Sequence, residues 1–243
     1  NWRVWHGKAA PGSLADDPAP LLSEFGLAAP PGSEALARLL PETGLWPPGS
    51  VWEGRQAQPD KLWHYARSVA PDKGDPQSLD DFIAASQTSQ ARGLQAGIEA
   101  YRLRADGVGV FIWQWNEPWP AICWSILPYT GPPKAAYYQV ARSFAPLAPL
   151  ARVFSDRIEL WVVNDRDSLP GICTLTATAG DRLVWRGEVV PPANDRLLAV
   201  TLPRPPALRF LALHLTGPGL DADNDYDLLA FRGLTASPAP QRW

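Results

Sequence analysis

Two carboxylates in this 243-residue chain lie in settings where a hydrolase would place one. Glu117 falls in the stretch Gly107–Pro120, an apolar run rich in β-branched and aromatic residues that ends Trp113-Gln114-Trp115-Asn116-Glu117-Pro118-Trp119-Pro120. Such a run predicts a strand over 108–115, buried on both faces. Polar and aromatic side chains at the carboxyl end of a buried strand suit the mouth of a barrel enzyme's site. The competing reading, an ordinary strand with a polar turn, leaves Trp113, Trp115 and Trp119 near water at a cost. Glu24 follows Leu21-Leu22-Ser23, read as the end of a short strand before a Phe25-Gly26 turn. A carboxylate beside apolar residues is partly desolvated, which is how catalytic carboxylates are tuned. A plain surface loop residue fits the local sequence equally well.

The elements that must position these groups follow from periodicity. Ser33 reads as the N-cap of a helix through Leu40, and 41–59 as loop rich in proline and glycine. A short helix is expected over 60–66, where His64 has no second ligand at metal spacing. Ser78-Leu79-Asp80-Asp81 resembles a capping box and opens the longest helix. Phe82, Ile83, Ala91, Leu94, Ile98 and Tyr101 form its apolar side, and Gln87, Gln90 and Arg92 its polar face. Helix, glycine turn and strand make an α/β unit. Lys134–Phe144 reads as another helix, and the prolines from Pro146 to Pro149 as a domain boundary. Beyond Ala151 the pattern changes to short alternating runs at Arg157–Val163, Ile172–Ala179, Arg182–Val189, Arg196–Leu202, Leu208–Leu215 and Tyr226–Phe231. Turn residues between them predict an antiparallel β-sandwich. Trp161 and Trp185, on these runs, read as core or interdomain residues and not as a sugar platform.

Composition narrows the functional classes. A net charge of −3 without a basic block gives no reason to expect a nucleic-acid partner. No window approaches the roughly 18 apolar residues of a membrane helix. The start Asn1-Trp2-Arg3 lacks an initiator Met and a signal peptide, so the chain reads as an interior cut of a longer one, with the cytoplasm favoured. Cys123 and Cys173 lack metal-ligand spacing and read as free buried thiols, and neither a metal nor a cofactor is expected. Twelve tryptophans suit stacking on the C–H faces of sugars, or simply a large core.

Several segments, taken together, carry a resemblance. They are Val4-Trp5-His6-Gly7, Ser23-Glu24-Phe25-Gly26, Ser89-Gln90-Ala91, Trp113–Pro120 with Trp124-Ser125, and Gly131-Pro132-Pro133-Lys134-Ala135 with Tyr137-Tyr138. In this order and spacing they resemble the C-terminal part of the β-mannosidases of glycoside hydrolase family 2. Val162-Val163-Asn164-Asp165 and Asn224-Asp225-Tyr226 resemble motifs of that family's last domain. The resemblance implies an α/β plus all-β chain. The last two strands of a partial TIM (β/α)8 barrel, with their helices, would occupy 1–147. An immunoglobulin-like β-sandwich would occupy 148–235, and a tail 236–243.

The resemblance further implies a retaining exo-glycosidase acting on a β-linked mannoside or oligosaccharide. Glu24 would end barrel strand seven as the nucleophile. Trp113, on strand eight, would form an apolar wall for the terminal sugar. Asn116, Glu117 and Trp119 would rim the mouth, and Trp5 and His6 would add to the substrate side. The family usually has Asp where this chain has Glu117, and Leu or Met where it has Trp115, which bears on sugar preference. The acid/base of the family is a Glu on strand four, which precedes strand seven. Glu117 follows Glu24 and is therefore not assigned that role. The partner required is the missing N-terminal part of the same chain, without which the fragment is expected to be inactive. The alternatives are another family 2 activity (β-glucosaminidase, β-glucuronidase or β-galactosidase) or a non-catalytic carbohydrate-binding or structural module.

Overall fold

The computed structural model describes residues 1–231. Packing divides the chain into two units. Of the described residues, the first takes Asn1–Tyr101, Asp106–Val140 and Leu229–Phe231, and the second Arg102–Ala105 and Ala141–Leu228. Residues 232–243, including the tail expected at 236–243, lie outside the described residues.

The first unit is built on a parallel pair of strands. Its elements run β1 (Leu21–Phe25), α1 (Ser33–Leu39), α2 (Ser50–Glu53), α3 (Pro59–Val69), α4 (Leu79–Arg102), β2 (Gly109–Ile112) and α5 (Ala135–Ser143). Parallel neighbours need a crossover, and α1 to α4 supply it. The register pairs Leu21 with Gly109, Leu22 with Val110 and Phe25 with Ile112. The longest helix, α4, is capped by Ser78, whose Oγ accepts from the Asp81 amide at 3.1 Å and donates to the Asp81 carboxylate at 2.7 Å.

Close packing of α4 on β1 depends on glycine. A Cβ at Gly97 would sit 2.3 Å from the Phe25 ring, and one at Gly93 would sit 2.7 Å from Leu27. These positions are four apart and so share one helix face. Phe25, Leu27, Leu36, Trp52, Phe82 and Ile98 are fully buried in the resulting core. Phe82 anchors its aromatic end, with ring centroids 4.7 Å from Trp63, 5.7 Å from Trp46 and 5.9 Å from Trp52.

Several expectations need correction here. The strand over 108–115 shortens to β2, and it is not buried on both faces: Val108 is 77% and Phe111 61% exposed. The reason is that, among the described residues, β1 alone pairs with it. Gly32, not Ser33, occupies the cap of α1, and it makes no side-chain bond. The loop expected over 41–59 contains α2 and the start of α3. Gln90, read as polar face, is fully buried, and its Nε2 donates to the carbonyls of Leu27 (2.8 Å), Trp124 (3.0 Å) and Ser125 (3.0 Å).

The second unit has two antiparallel sheets over one core. Its strands are β3 (Leu147–Val153), β4 (Arg157–Asn164), β5 (Cys173–Ala179), β6 (Arg182–Val189), β7 (Asp195–Pro203), β8 (Phe210–Gly217) and β9 (Leu220–Asp227). They are ordered β3-β4-β7 and β6-β5-β8-β9. Leu160 and Val162 of β4 meet Leu175 and Ala177 of β5 and Leu213 and Leu215 of β8 in the core. β3 falls where prolines predict a boundary. As an edge strand it can hold Pro149 without losing a ladder bond. β9 starts at Leu220 and not at Tyr226, after a tight turn at Pro218-Gly219 with φ +65° at the glycine. Asn224, buried in β9, donates to the Pro149 carbonyl at 3.2 Å, and the Tyr226 hydroxyl accepts from the Ala151 amide at 2.8 Å, so β9 is tied to β3. Cys123 and Cys173 are both free and buried. Among the described residues no helix is long and apolar enough to cross a membrane.

The glycine face of α4 gives a direct test. Gly97→Val should destabilise the chain by about 1–3 kcal/mol in urea unfolding, because the Phe25 ring has no free volume to move into.

Candidate active site

The carboxyl ends of β1 and β2 bring two sequence-separated peptides side by side. The Trp113 amide donates to the Phe25 carbonyl at 2.7 Å, extending the pairing one residue beyond β2. Gly26 makes this approach possible, since a Cβ there would lie 1.9 Å from the Trp113 carbonyl oxygen. Glu24, one residue before the end of β1, is half-buried. Trp113 begins the connection after β2, through a cis peptide to Gln114, and is 44% exposed. A carboxylate and an exposed indole therefore stand at the same end of adjacent strands. Asn116 and Trp119 are also exposed, and Asn116 bridges to Leu127.

Behind Glu24 lies a ladder of aromatic rings. The Trp2 indole Nε1 donates to Glu24 Oε1 at 3.3 Å. The Trp2 ring meets Trp124 edge-on at 5.6 Å, and Trp124 meets Trp5 edge-on at 5.9 Å. Trp5 stacks on Tyr65 at 5.4 Å and 13°. The Tyr65 hydroxyl donates to the Val4 carbonyl, and burial pushes the Tyr65 pKa up to about 12, so it remains a neutral donor. Trp5, expected on the substrate side, is 1% exposed and has no face to offer a ligand. Its neighbour His6 is exposed and accepts from Lys61 Nζ at 2.8 Å through Nδ1. Burial, then the charges of Lys61 and Lys8, lowers the His6 pKa, consistent with a neutral acceptor.

Glu117 is the chief correction. Expected at the rim, it is 5% exposed, with its carboxylate oxygens in use. Oε1 accepts from Ser125 Oγ at 2.5 Å and from Lys134 Nζ at 3.1 Å, and Oε2 accepts from the Tyr129 amide at 2.8 Å. Lys134, fully buried, also reaches the carbonyls of Ala29 (2.8 Å) and Cys123 (3.2 Å) and Ser125 Oγ (3.1 Å). Burial pushes the Lys134 pKa down and the Glu117 charge opposes it. A carboxylate so occupied organises the chain around it and does not stand at the rim. The reason it sinks inward is the paired cation, which sequence separation conceals.

Trp2, Trp124 and Lys134 have places at this site that the residue types alone do not assign. The Trp2–Trp5 spacing was a usable signal, because both indoles share the one ladder. Among the described residues, His214, Asp221 and Asp223 of the second unit form a group with metal-ligand chemistry. The two ring nitrogens already face the carboxylates, at 2.8 Å for Asp223 and 3.3 Å for Asp221, which describes a surface hydrogen-bonded cluster.

The buried pair predicts an asymmetric mutational response. Lys134→Met should cost about 3–5 kcal/mol in urea unfolding at neutral pH, because Glu117 is left charged in the interior. Adding Glu117→Gln to that variant should recover at least half of the loss.

No protein-family model matches the chain. Among curated proteins it is 27% identical over 182 residues to β-mannosidase B of Aspergillus niger, covering 67% of this chain and 22% of that protein. It is 28% identical over 182 residues to β-mannosidase B of Emericella nidulans, with the same coverage. The chain thus spans about a fifth of the length of the curated relatives it matches. Its fold matches a β-D-mannosidase from Dictyoglomus thermophilum with TM-score 0.84 and 24% identity, over 96% of this chain and 30% of that one. The exo-chitosanase of Amycolatopsis orientalis follows with TM-score 0.73 and 18% identity, over 90% of this chain and 29% of that one. The chain is thus similar in sequence to fungal β-mannosidases and shares its fold with a bacterial β-D-mannosidase.

Proposed function

We propose that this chain is the C-terminal part of a retaining exo-β-mannosidase of glycoside hydrolase family 2. Residues 1–147 are the closing strands of a (β/α)8 barrel with their helices, and 148–235 an immunoglobulin-like sandwich. The observation that carries the reading is the placement of Glu24 and Trp113 at the same end of adjacent parallel strands. Active sites of such barrels gather at the carboxyl ends of the strands. The exposed edge residues Val108 and Phe111 fit strands that continue into a larger sheet.

In this reading Glu24 is the nucleophile. Its carboxylate bonds to the anomeric carbon as the bond to the aglycone oxygen breaks, and that oxygen takes a proton from a second carboxylic acid. Water then attacks the glycosyl ester, the second group accepts its proton, and mannose leaves with its configuration retained. Such a pair stands about 5–5.5 Å apart. Glu117 cannot be the second group, because Lys134, Ser125 and Tyr129 hold it. The acid belongs to the part of the parent protein outside this chain, and the isolated chain is inactive. Trp113 stacks on the terminal sugar, with Asn116, Trp119 and His6 around it.

A related family 2 activity is the second reading, and it is favoured by one observation, the fold shared with an exo-chitosanase. Rates on a panel of aryl β-glycosides decide between them.

In the full-length protein, Glu24→Ala should lower hydrolysis of an aryl β-mannoside by at least about 10³-fold. Added azide should restore turnover and give the α-mannosyl azide, the product of a single inversion. An unchanged rate would remove Glu24 from the chemistry. The 243-residue chain alone should show no turnover.

A further inference from the structure

We propose that Trp2 is a positioning residue for Glu24; the inference rests on the nucleophile reading above. The indole N–H is a donor only, so in its 3.3 Å bond to Glu24 the carboxyl oxygen Oε1 is the acceptor. It fixes the plane of the carboxylate and leaves Oε2 to form the bond to the sugar.

The indole is itself held from behind. Trp2 abuts Trp124, Trp124 abuts Trp5, and Trp5 stacks on Tyr65 of α3. Trp124 also packs near Gly26, where a Cβ would come within 3.4 Å of its Cδ1. Glu24 and Gly26 are thus braced from one aromatic stack, by a hydrogen bond at the first and by packing at the second. A flexible donor such as lysine would give the carboxylate a charge partner without a fixed direction. An indole in a ladder of rings gives direction without competing charge. Trp5, too buried to touch a sugar, contributes to the site through this stack.

The test uses the full-length protein that carries this segment, with rates expressed per site titrated by a 2-deoxy-2-fluoro-mannoside so that misfolded molecules do not count. Trp2→Phe keeps a ring against Trp124 and loses the donor, whereas Trp2→His keeps a ring N–H and loses bulk. The expected result is a fall in kcat of about 10-fold or more for Trp2→Phe, with KM changed by less than about 3-fold and a partial recovery of kcat in Trp2→His. A kcat for Trp2→Phe within 2-fold of the parent would overturn the proposal, as would a Trp2→His variant no better than Trp2→Phe. Glu24→Gln is assayed alongside. If it keeps its activity, the nucleophile reading fails; if it is inactive and the Trp2 variants behave alike, only the positioning role fails.

Discussion

The Lys134 ammonium, buried beside the Glu117 carboxylate, is the interaction on which the arrangement of the first unit depends. Dehydrating two ions is expensive, and their attraction repays it only where the remaining donors and acceptors are satisfied. Here they are supplied by two different stretches: Ala29 after β1, and Cys123, Ser125 and Tyr129 in the long connection between β2 and α5. The charge pair therefore specifies one arrangement of irregular chain that has little regular secondary structure to define it. Gln90 does the same from α4, reaching the carbonyls of Leu27, Trp124 and Ser125.

With the interior so fixed, the connection after β2 can afford to present aromatic surface. Trp113, Trp115 and Trp119 remain 41–53% exposed while the residues between and behind them are held by hydrogen bonds. In this stretch buried Glu117 and Ser125 sit beside exposed indoles, against the usual distribution. That inversion makes sense where rigid indole faces are wanted at a surface and the backbone beneath them must not shift. The second unit is organised in the ordinary way, with apolar side chains inward on both sheets and buried asparagines at strand ends and edges.

What was readable in the sequence follows from how local each cause is. The 3.6-residue period of α4 and its serine cap, and the alternation in β4 to β8, are local and were legible. β3 was hidden because Pro149 argues against a strand unless its edge position is known. β9 was hidden because aspartates line its solvent side, as charged residues do on an edge. The strand leading to Trp113 was found, but its length and burial were overestimated, since apolar composition does not report how many neighbours a strand has. Glu117 was misplaced because its partner lies 17 residues away and Lys134 looks like any surface lysine. The donor to Glu24 was missed for the same reason, across 22 residues.

The contact between Gly26 and Trp113 has a consequence for how such a chain can change. With no room for a single carbon atom between them, neither peptide can drift without carrying the other along. The segment bearing the carboxylate and the segment bearing the exposed indole must then vary as one inherited block, and a transplant of either into another scaffold would have to bring its counterpart. Residues such as Trp115 and Trp119, 53% and 41% exposed, are free of that constraint, and their replacement leaves the joint closed.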